Sequence, residues 1–407
     1  MNFKDFDTTI EDLISATCNV ATNIESILLT ESLGRVLARD IVAKENSPAH
    51  LTSEMDGYAF RYKDQEKGLL KLCDRLPAGS DLSTKVDEGT CVKTFTGSLM
   101  SEGSDTLIPI ENVEVNNDEV KIITPVKQGF AIRAIGENYK ENEVLIKKGT
   151  TIGYAQIGVM AELGEVNVAV FEKPRIAVLA TGSEILEIGE PKISPAKIRS
   201  SNHVTLQALM MQHGASVSRL PIVKDEKEEI KKSITNALKN HDIIITTGGV
   251  SVGDFDFVKE IIKGLEPEYI VDGAFVKPGR HIKIVKVGQK FIFALPGFPY
   301  SSTVMACVYV LPLLRAMQGK EPKSKYIEAR LLEDYPKRSK FTEFTACNLK
   351  IIDGQFCVDL EGKRLGSSAI LTNMLDNAAL LRIEKDTCNL KKGEKVRILP
   401  IDFKFFG

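Results

Sequence analysis

The chain has 407 residues, which is long enough for two or more domains of ~100–200 residues each. Hydrophobic residues make up 43% and charged residues 27%, the composition of a soluble globular protein. The 53 basic and 55 acidic residues nearly balance, which argues against a dedicated nucleic-acid binder because such proteins carry a basic excess.

The seven cysteines are odd in number and scattered, and the five histidines lack metal-ligand spacing such as HExxH. This pattern predicts free thiols in a reducing compartment. The start, MNFKDFDTTIEDL, has no apolar signal core, and no run approaches the ~18 apolar residues of a membrane span. We therefore predict a cytoplasmic protein with neither a membrane nor a nucleic-acid partner.

The first 173 residues divide by pattern. Residues 7–38 are predicted to be helical, with Ile10, Leu13 and Ile14 on one helix face and a second helix over ESLGRVLA. Residues 47–139 contain short runs such as YAFRY, CVKTF and VKIITPV between turn residues, which predicts a β-rich domain. The pattern around 144–170 turns helical again. The β-rich domain is thus predicted to be inserted into a helical and extended framework of residues 1–46 and 140–173.

Over residues 174–322, strands alternate with helices, which predicts a doubly wound α/β domain around a parallel sheet. The predicted strands are RIAVLAT, ASVSRLPIV, DIIITTGG and FIFALPG. The predicted helices are SNHVTLQALMMQHG, KDEKEEIKKSITNALKN, DFDFVKEIIKGL and YSSTVMACVYVLPLLRAM. Residues 323–407 show short strands again, which predicts a small C-terminal β domain. The predicted fold class is α/β plus β, multidomain.

Two loops of the α/β domain follow predicted strands, and ligands of open parallel sheets bind beyond the carboxyl ends of the strands. Glycine amides, a serine hydroxyl and a helix N-terminus are suited to a phosphate. The candidate binding residues of these loops are Thr181, Gly182 and Ser183 in the first, and Gly248, Gly249, Val250, Ser251 and Asp254 in the second. The second loop matches neither GxGxxG nor GxxxxGK[ST], so dinucleotide redox chemistry and P-loop hydrolysis are not supported.

Acidic residues lie in the same loops. Carboxylates beside a phosphate repel it unless a cation intervenes, and Mg²⁺ bridging carboxylate and phosphate oxygens resolves the conflict. For Asp254, the alternative is that its side chain caps the following helix. That alternative does not account for Asp256 and Glu184 at the same sheet edge.

Several segments of the sequence resemble those of a known family. LATGSEI and TGGVSVGDFDF resemble the pterin-binding domain that MoeA, MogA and gephyrin share, and SEMDGYAF resembles a segment found in MoeA and the gephyrin E domain. GRVLARDI, FTGSLMSEGSDTLIPIENV, VKPGRHIK, LPGFPYSS and GSSAILTNMLDNAALL also match, in the family's order across residues 31–390.

The resemblance implies a molybdopterin molybdenumtransferase of the MoeA family. In that reaction molybdate replaces the adenylate of molybdopterin-AMP, with Mg²⁺ or another divalent ion assisting, and AMP is released. The resemblance also implies an elongated homodimer whose site lies between the pterin-binding domain of one subunit and the inserted domain of the other. A transient contact with the molybdopterin adenylyltransferase is expected.

The family's motifs assign roles to particular residues. The catalytic residues carried over are Asp56, Glu184, Asp225, Asp256 and Lys277, of which Glu184, Asp225 and Asp256 are the expected metal ligands. The further substrate-binding residues are Thr96, Arg133, Pro278, Gly279, Arg280 and Ser367. Simpler roles stay open for several: a turn at Asp56-Gly57 or at Thr96-Gly97, a helix capping box for Asp225, and a solvated surface position for Lys277.

The sequence departs from the family pattern at four positions. Asn138 replaces an acid, Gly273 falls where the family has a lysine, and Phe298 replaces the asparagine of LPGNP. Phe341 stands where GRxEF has its arginine. The expected substitutes are Arg280 or His281 for the lysine and Arg338 or Lys340 for the arginine, with Ser367 or Ser368 as the hydroxyl partner.

Three other functions stay open on the sequence alone. A tungstate-specific enzyme would carry the same motifs, because the two oxyanions have nearly the same size and charge. A non-catalytic pterin-binding scaffold would agree with the four departures. A pyrophosphatase of the CinA type shares the α/β domain but does not need SEMDGYAF.

Overall fold

The computed structural model describes residues 3–17, 20, 23–80, 84–249, 257–337, 339–376 and 378–401. The chain forms two compact units. One contains residues 1–38, 149–153 and 167–407, and the other contains residues 39–148 and 154–166. This division into two units does not test the four predicted domains, whose boundaries stay a prediction.

The smaller unit is built on an antiparallel sheet in which one neighbouring pair, Leu69–Leu76 with Thr90–Thr94, is parallel. The strand order is Thr106–Pro109, Gly57–Phe60, Thr90–Thr94, Leu69–Leu76, Glu119–Ile122 and Val113–Asn116. Short pairs flank it: Thr52–Ser53 with Ile132–Arg133, and Ile41–Val42 with Val144–Ile146. A helix, Tyr154–Glu162, completes the unit. The β-rich character predicted for this region is confirmed.

The larger unit contains a doubly wound sheet of six strands. Their order is Ser216–Arg219, Arg175–Ala180, Ile243–Thr247, Lys290–Leu295, Lys283–Val287 and Glu268–Asp272. The first four are parallel, and the last two add an antiparallel edge. Helices cover the sheet: Asn202–Gln212, Lys227–Asn240, Phe257–Lys263 and the helical run Pro299–Met317. The central strands Ile243–Thr247 and Lys290–Leu295 are buried except at Lys290, as their continuous apolar sequence predicts.

A second sheet of the larger unit holds the C-terminal strands. Its order is Lys4–Asp5, Ala274–Lys277, Thr342–Ile352, Gln355–Asp359, Ile327–Leu331, Lys395–Pro400 and Ala378–Ile383, with a further pairing between the strands Thr342–Ile352 and Ala378–Ile383. The strand Ala274–Lys277 lies in the chain between two strands of the α/β sheet but belongs to the C-terminal sheet. This pairing crosses the boundary predicted at residue 322.

The long apolar helix Pro299–Met317 is confirmed. It contains a π-helical segment, Ala306–Val310, just before Pro312, whose missing N–H cannot continue a regular ladder. Its length and mean hydropathy of 1.3 suffice for a membrane span, but 89% of that window is buried inside the protein. Such burial is typical of a core helix.

Two helical predictions were wrong. In the first 38 residues the helix ends at Thr17. ESLGRVLA is not helical: its first residue ends a 3-10 turn over Leu29–Glu31, and its later residues form isolated extended bridges. The strand Ile24–Leu28 pairs instead with Asn167–Phe171, so tertiary pairing overrides the local helical pattern. Around 144–170, only Tyr154–Glu162 is helical.

Candidate functional site

The first site loop, TGSE, follows the strand Arg175–Ala180. Gly182 has φ +151°, and a Cβ added there would lie 2.8 Å from Glu184 Oε2 and 2.6 Å from the Ile185 Cγ1. The Glu184 carboxylate therefore packs over the bare Cα of Gly182. Only glycine leaves room for this arrangement.

Asp225 contacts the same loop. Its Oδ2 accepts a hydrogen bond from the Ser183 amide at 3.0 Å, and its own amide donates to Ser183 Oγ at 3.2 Å. The capping-box alternative for Asp225 is wrong, because Glu226 is the N-cap residue of the helix Lys227–Asn240 and no side chain caps it. The structure thus brings Ser183, Glu184 and Asp225 together around one loop.

The glycines of the second loop lie against the first. Gly248 and Gly249 have φ of +94° and +67°, and a Cβ on Gly248 would lie 3.0 Å from the Thr181 carbonyl oxygen. On Gly249 it would lie 2.8 Å from Val258 Cγ2. Val250, Ser251, Asp254 and Asp256 lie outside the described residues.

These loops open into a cavity of about 510 Å³, which we call the pterin cavity after the ligand that the sequence resemblance leads us to expect there. Its lining includes Thr181, Glu184, Gly248, Gly249, Gly279, Arg280, His281, Phe298, Ser301 and Ser368. It lies at the carboxyl ends of the parallel strands, as predicted for a ligand site. The Arg280 Nε donates to His281 Nε2 at 2.9 Å, and burial, together with the Arg280 charge, lowers the pKa of His281, so that the ring is an acceptor at neutral pH.

Lys277 faces a different space, since it ends the strand that joins the C-terminal sheet. It lines a second cavity of about 40 Å³, which we call the oxyanion cavity after the anion that the sequence leads us to expect at Lys277. Its walls include Glu343, Tyr335, Arg364, Ser367 and Ser368. The Lys277 Nζ lies 3.8 Å from Oε1 of Glu343, a buried carboxylate that also accepts from the Tyr335 hydroxyl at 2.9 Å. Lys277 is therefore an ion-pair partner and not a solvated surface lysine.

The two cavities are neighbours. Ser368 lines both, and the segment from Lys277 to His281 runs from one to the other through a cis Lys277–Pro278 bond. Glu343, Tyr335 and Arg364 line this cavity but were not predicted from the sequence. Glu343 lies two residues after Phe341, at the glutamate of GRxEF, so this motif carried a signal for it. Arg364 lies outside the matched phrases.

In the smaller unit, Asp56 and Thr96 meet. Asp56 Oδ1 accepts from both the amide and the hydroxyl of Thr96, each at 2.8 Å, and these bonds lower the pKa of the Asp56 carboxyl. Arg133 is occupied by its own loop: Nε donates to Glu137 at 3.2 Å and Nη2 to Asn138 Oδ1 at 2.6 Å. Asn138, a departure from the family, thus serves as the acceptor for Arg133.

Two other departures belong to one aromatic cluster. A side chain on Gly273, where φ is +86°, would meet the Phe3 ring at 2.3 Å. Phe3 packs edge-on against Phe275, and Phe275 stacks on Phe341 with ring centroids 5.5 Å apart. The positions of the family's lysine and arginine therefore hold packed rings here. Of the suggested substitutes for the arginine, Lys340 is exposed and residue 338 lies outside the described residues.

Among the described residues, no group of three or more His, Cys, Asp or Glu side chains is arranged to hold a metal ion. Glu184 and Asp225 supply two carboxylates at one loop, and Asp256, the third expected ligand, is not among the described residues.

Known proteins resemble this chain along most of its length. Three family profiles match: "MoeA N-terminal region (domain I and II)" over residues 5–164, "Probable molybdopterin binding domain" over 177–316 and "MoeA C-terminal region (domain IV)" over 328–401. A molybdopterin molybdenumtransferase of Staphylococcus epidermidis is 30% identical over 388 residues, covering 94% of this chain and 92% of the relative. One from Staphylococcus aureus is 33% identical, with 78% of each chain covered.

A solved structure also resembles the whole chain. The molybdopterin biosynthesis MoeA protein of Pyrococcus horikoshii superposes with a TM-score of 0.85 at 26% identity, covering 98% of this chain and 100% of that one. The sequence motifs, the fold and the relatives agree, and the chain belongs to the MoeA family of molybdopterin molybdenumtransferases, enzymes of molybdenum cofactor biosynthesis.

Proposed function

We propose that this enzyme inserts molybdate into adenylylated molybdopterin and releases AMP. The observation that carries the proposal is the pterin cavity, where Glu184, two glycines with positive φ and Arg280 line one space of about 510 Å³. Backbone close to the ligand suits a phosphoanhydride, and a fixed guanidinium stabilises charge that develops on the departing phosphate.

The cation expected here is Mg²⁺. The donor set agrees with it as far as the described residues go, because carboxylate oxygens are the ligands that Mg²⁺ prefers and Glu184 presents one to the cavity. Bound there, the ion would neutralise charge on the phosphate oxygens. Glu184 and Asp225 would hold it together with Asp256. Asp225 also fixes the Ser183 amide and so orients the loop.

Molybdate is assigned to the oxyanion cavity. That cavity is small, and Lys277, Arg364 and the two serines give it two cations and hydroxyl donors. Its buried Glu343 holds Lys277 by an ion pair and so limits the net positive charge that meets the dianion. Because Ser368 lines both cavities, the oxyanion and the pterin are expected on either side of this residue.

We further propose a cytoplasmic homodimer in which Asp56 and Thr96 of one subunit complete the site of the other, supplied by the molybdopterin adenylyltransferase. Subunit complementation tests the shared site. A mixture of Asp56→Asn and Glu184→Gln chains should regain activity after subunit exchange, because some mixed dimers contain one intact site. Activity that never exceeds that of the separate variants would contradict a shared site.

The central experiment measures AMP release from molybdopterin-AMP with and without molybdate. We expect release that needs both molybdate and Mg²⁺, that is lost on chelation, and that falls by about 10²–10³ in Glu184→Gln. Glu229→Gln, an exposed change of the same type on the helix Lys227–Asn240, is the matched control.

Each alternative has its own outcome. Binding without AMP release would contradict the proposal and indicate a scaffold. AMP release independent of molybdate would indicate a pyrophosphatase. Preference for tungstate over molybdate at equal concentration would indicate a tungstate-specific enzyme.

A further inference from the structure

The larger unit contains a third cavity, of about 730 Å³, which we call the basic cavity. Its walls come from the 33–36 segment, residues 171–173, the end of the helix Asn202–Gln212, the helix Leu311–Met317, the segment 320–325 and residues 399–401. It shares no lining residue with the pterin cavity or the oxyanion cavity. The basic cavity is therefore a separate site.

Cations outnumber acids along its lining. The basic side chains are Arg35, Lys173, Arg315, Lys320, Lys323 and Lys325, and the acidic ones are Glu172 and Glu321. Arg35 is paired with Glu25. Within the described part of the chain, the other five cations form no ion pair. The cavity thus has uncompensated positive charge.

The strongest charge conflict involves Arg315 and Lys320. The Arg315 Nη2 donates to the Pro322 carbonyl at 3.0 Å and to Ser324 Oγ at 2.9 Å, but its Nε is buried and finds no acceptor among the described residues. Burial, and next the nearby Arg315, lower the pKa of Lys320. Glu321 is the nearby acid that acts on Arg315, but it forms no ion pair with either cation among the described residues. Two like charges partly removed from water destabilise each other, and an anion between them would relieve both.

The rest of the lining is mainly apolar. Phe171, Leu311 and Leu314 are buried lining residues, while Leu33 and Met211 are 66% and 56% exposed. Sites for small organic ligands are typically about 300–1,000 Å³, mostly apolar, with a few charged groups that fix orientation. An inorganic oxyanion would meet the cations and leave most of this apolar surface uncovered.

We propose that the basic cavity binds a small organic anion whose apolar body packs on Phe171, Leu311 and Leu314 and whose phosphate, sulfonate or carboxylate faces Arg315 and Lys320. Lys173 and Lys325 attract the anion from solution. The substrates of the proposed reaction occupy the other two cavities, so this ligand is an additional one.

The test uses 1-anilinonaphthalene-8-sulfonate, an aromatic anion whose fluorescence rises in apolar surroundings, titrated into the full chain. Lys173→Gln with Lys320→Gln should weaken binding by at least about tenfold, since charged contacts in a partly dry site are worth several-fold each. The matched control, Lys231→Gln with Lys232→Gln, removes the same charge from exposed positions on the helix Lys227–Asn240 and should leave binding unchanged. Equal binding by both double variants would overturn the proposal.

The apolar wall has its own variant. Met211→Asp changes an exposed residue of the cavity lining, so the fold is retained, and the change should also weaken binding of the fluorescent probe. Ile193→Asp, at an 86% exposed position elsewhere, should not. Equal effects of these two changes would refute the site.

Competition identifies the head group. AMP displacing the probe indicates an aromatic phosphate, and laurate displacing it indicates an aliphatic carboxylate. Displacement by inorganic phosphate at concentrations as low as those of the organic anions would refute the role of the apolar walls.

Discussion

The variant Gly182→Ala tests whether the packing of Glu184 on Gly182 positions its carboxylate for AMP release, apart from any loss of stability. The new Cβ would lie 2.8 and 3.0 Å from the Glu184 carboxylate oxygens and 2.6 Å from Ile185 Cγ1. Both neighbours are side chains that can move, so the expected loss in the free energy of unfolding is only about 1–3 kcal/mol, from backbone strain and crowding. The carboxylate, however, must leave its place over the loop. AMP release should therefore fall about as far as in Glu184→Gln.

The matched control is Gly189→Ala. Gly189 has φ +86° and nothing within 4 Å of an added Cβ, so this variant bears similar backbone strain without displacing Glu184. Stability is measured by urea unfolding and function by AMP release. If Gly182→Ala keeps wild-type AMP release while Glu184→Gln loses it, the packing of Glu184 on the glycine has no role in positioning.

Three other features of the described residues can be tested by substitution or by labelling. Thr96→Val removes one hydrogen bond to the Asp56 carboxylate, so the pKa of that carboxyl, measured by NMR titration, should rise. Because this pKa is depressed in the folded protein, the carboxylate stabilises the fold at neutral pH and loses that effect as the pH falls through the pKa. An unmoved pKa would contradict the assignment. Gly279→Ala puts a Cβ 2.4 Å from Met305 Cγ and should lower the free energy of unfolding, measured in urea, by about 1–3 kcal/mol. Because Met305 is buried, Met305→Ala is destabilising by itself, but the double variant should lose less than the sum of the two single losses, and full additivity would disprove the clash. Thiol labelling of the native protein should modify two of the six described cysteines rapidly, the exposed Cys73 and Cys388. The other four are buried, and burial raises the pKa of three of them, Cys91, Cys307 and Cys347, to about 12; the fourth is Cys357. Rapid reaction of a buried thiol would refute this.

The α/β sheet was predictable because its strands are short apolar runs and its helices have clear ends, such as Gly214 with φ +86° after the helix Asn202–Gln212. The extended structure of ESLGRVLA could not be predicted, since its apolar spacing is helical while its backbone hydrogen bonds go to distant partners, Thr150 and Ala169 among them. Long-range pairing of this kind leaves no local signal.

The candidate site was predictable in part for the same reason. Strand-to-loop order brought Ser183 and Asp225 to one edge, as the motifs implied. The separation of Lys277 from the pterin cavity depends on its strand pairing with Thr342–Ile352, some 65 residues later in the sequence, which pattern reading cannot detect.

The pairing of Ala274–Lys277 with Thr342–Glu343 also constrains motion. On its other side this strand pairs with Lys4–Asp5. Hydrogen bonds therefore connect residues near the start of the chain, the strand that ends at Lys277 and the C-terminal sheet in one ladder. A hinge between the α/β and C-terminal layers would have to break those bonds. Any opening that admits substrate should therefore come from loops, and deletion of the C-terminal strands would leave Ala274–Lys277 as a bare, aggregation-prone edge.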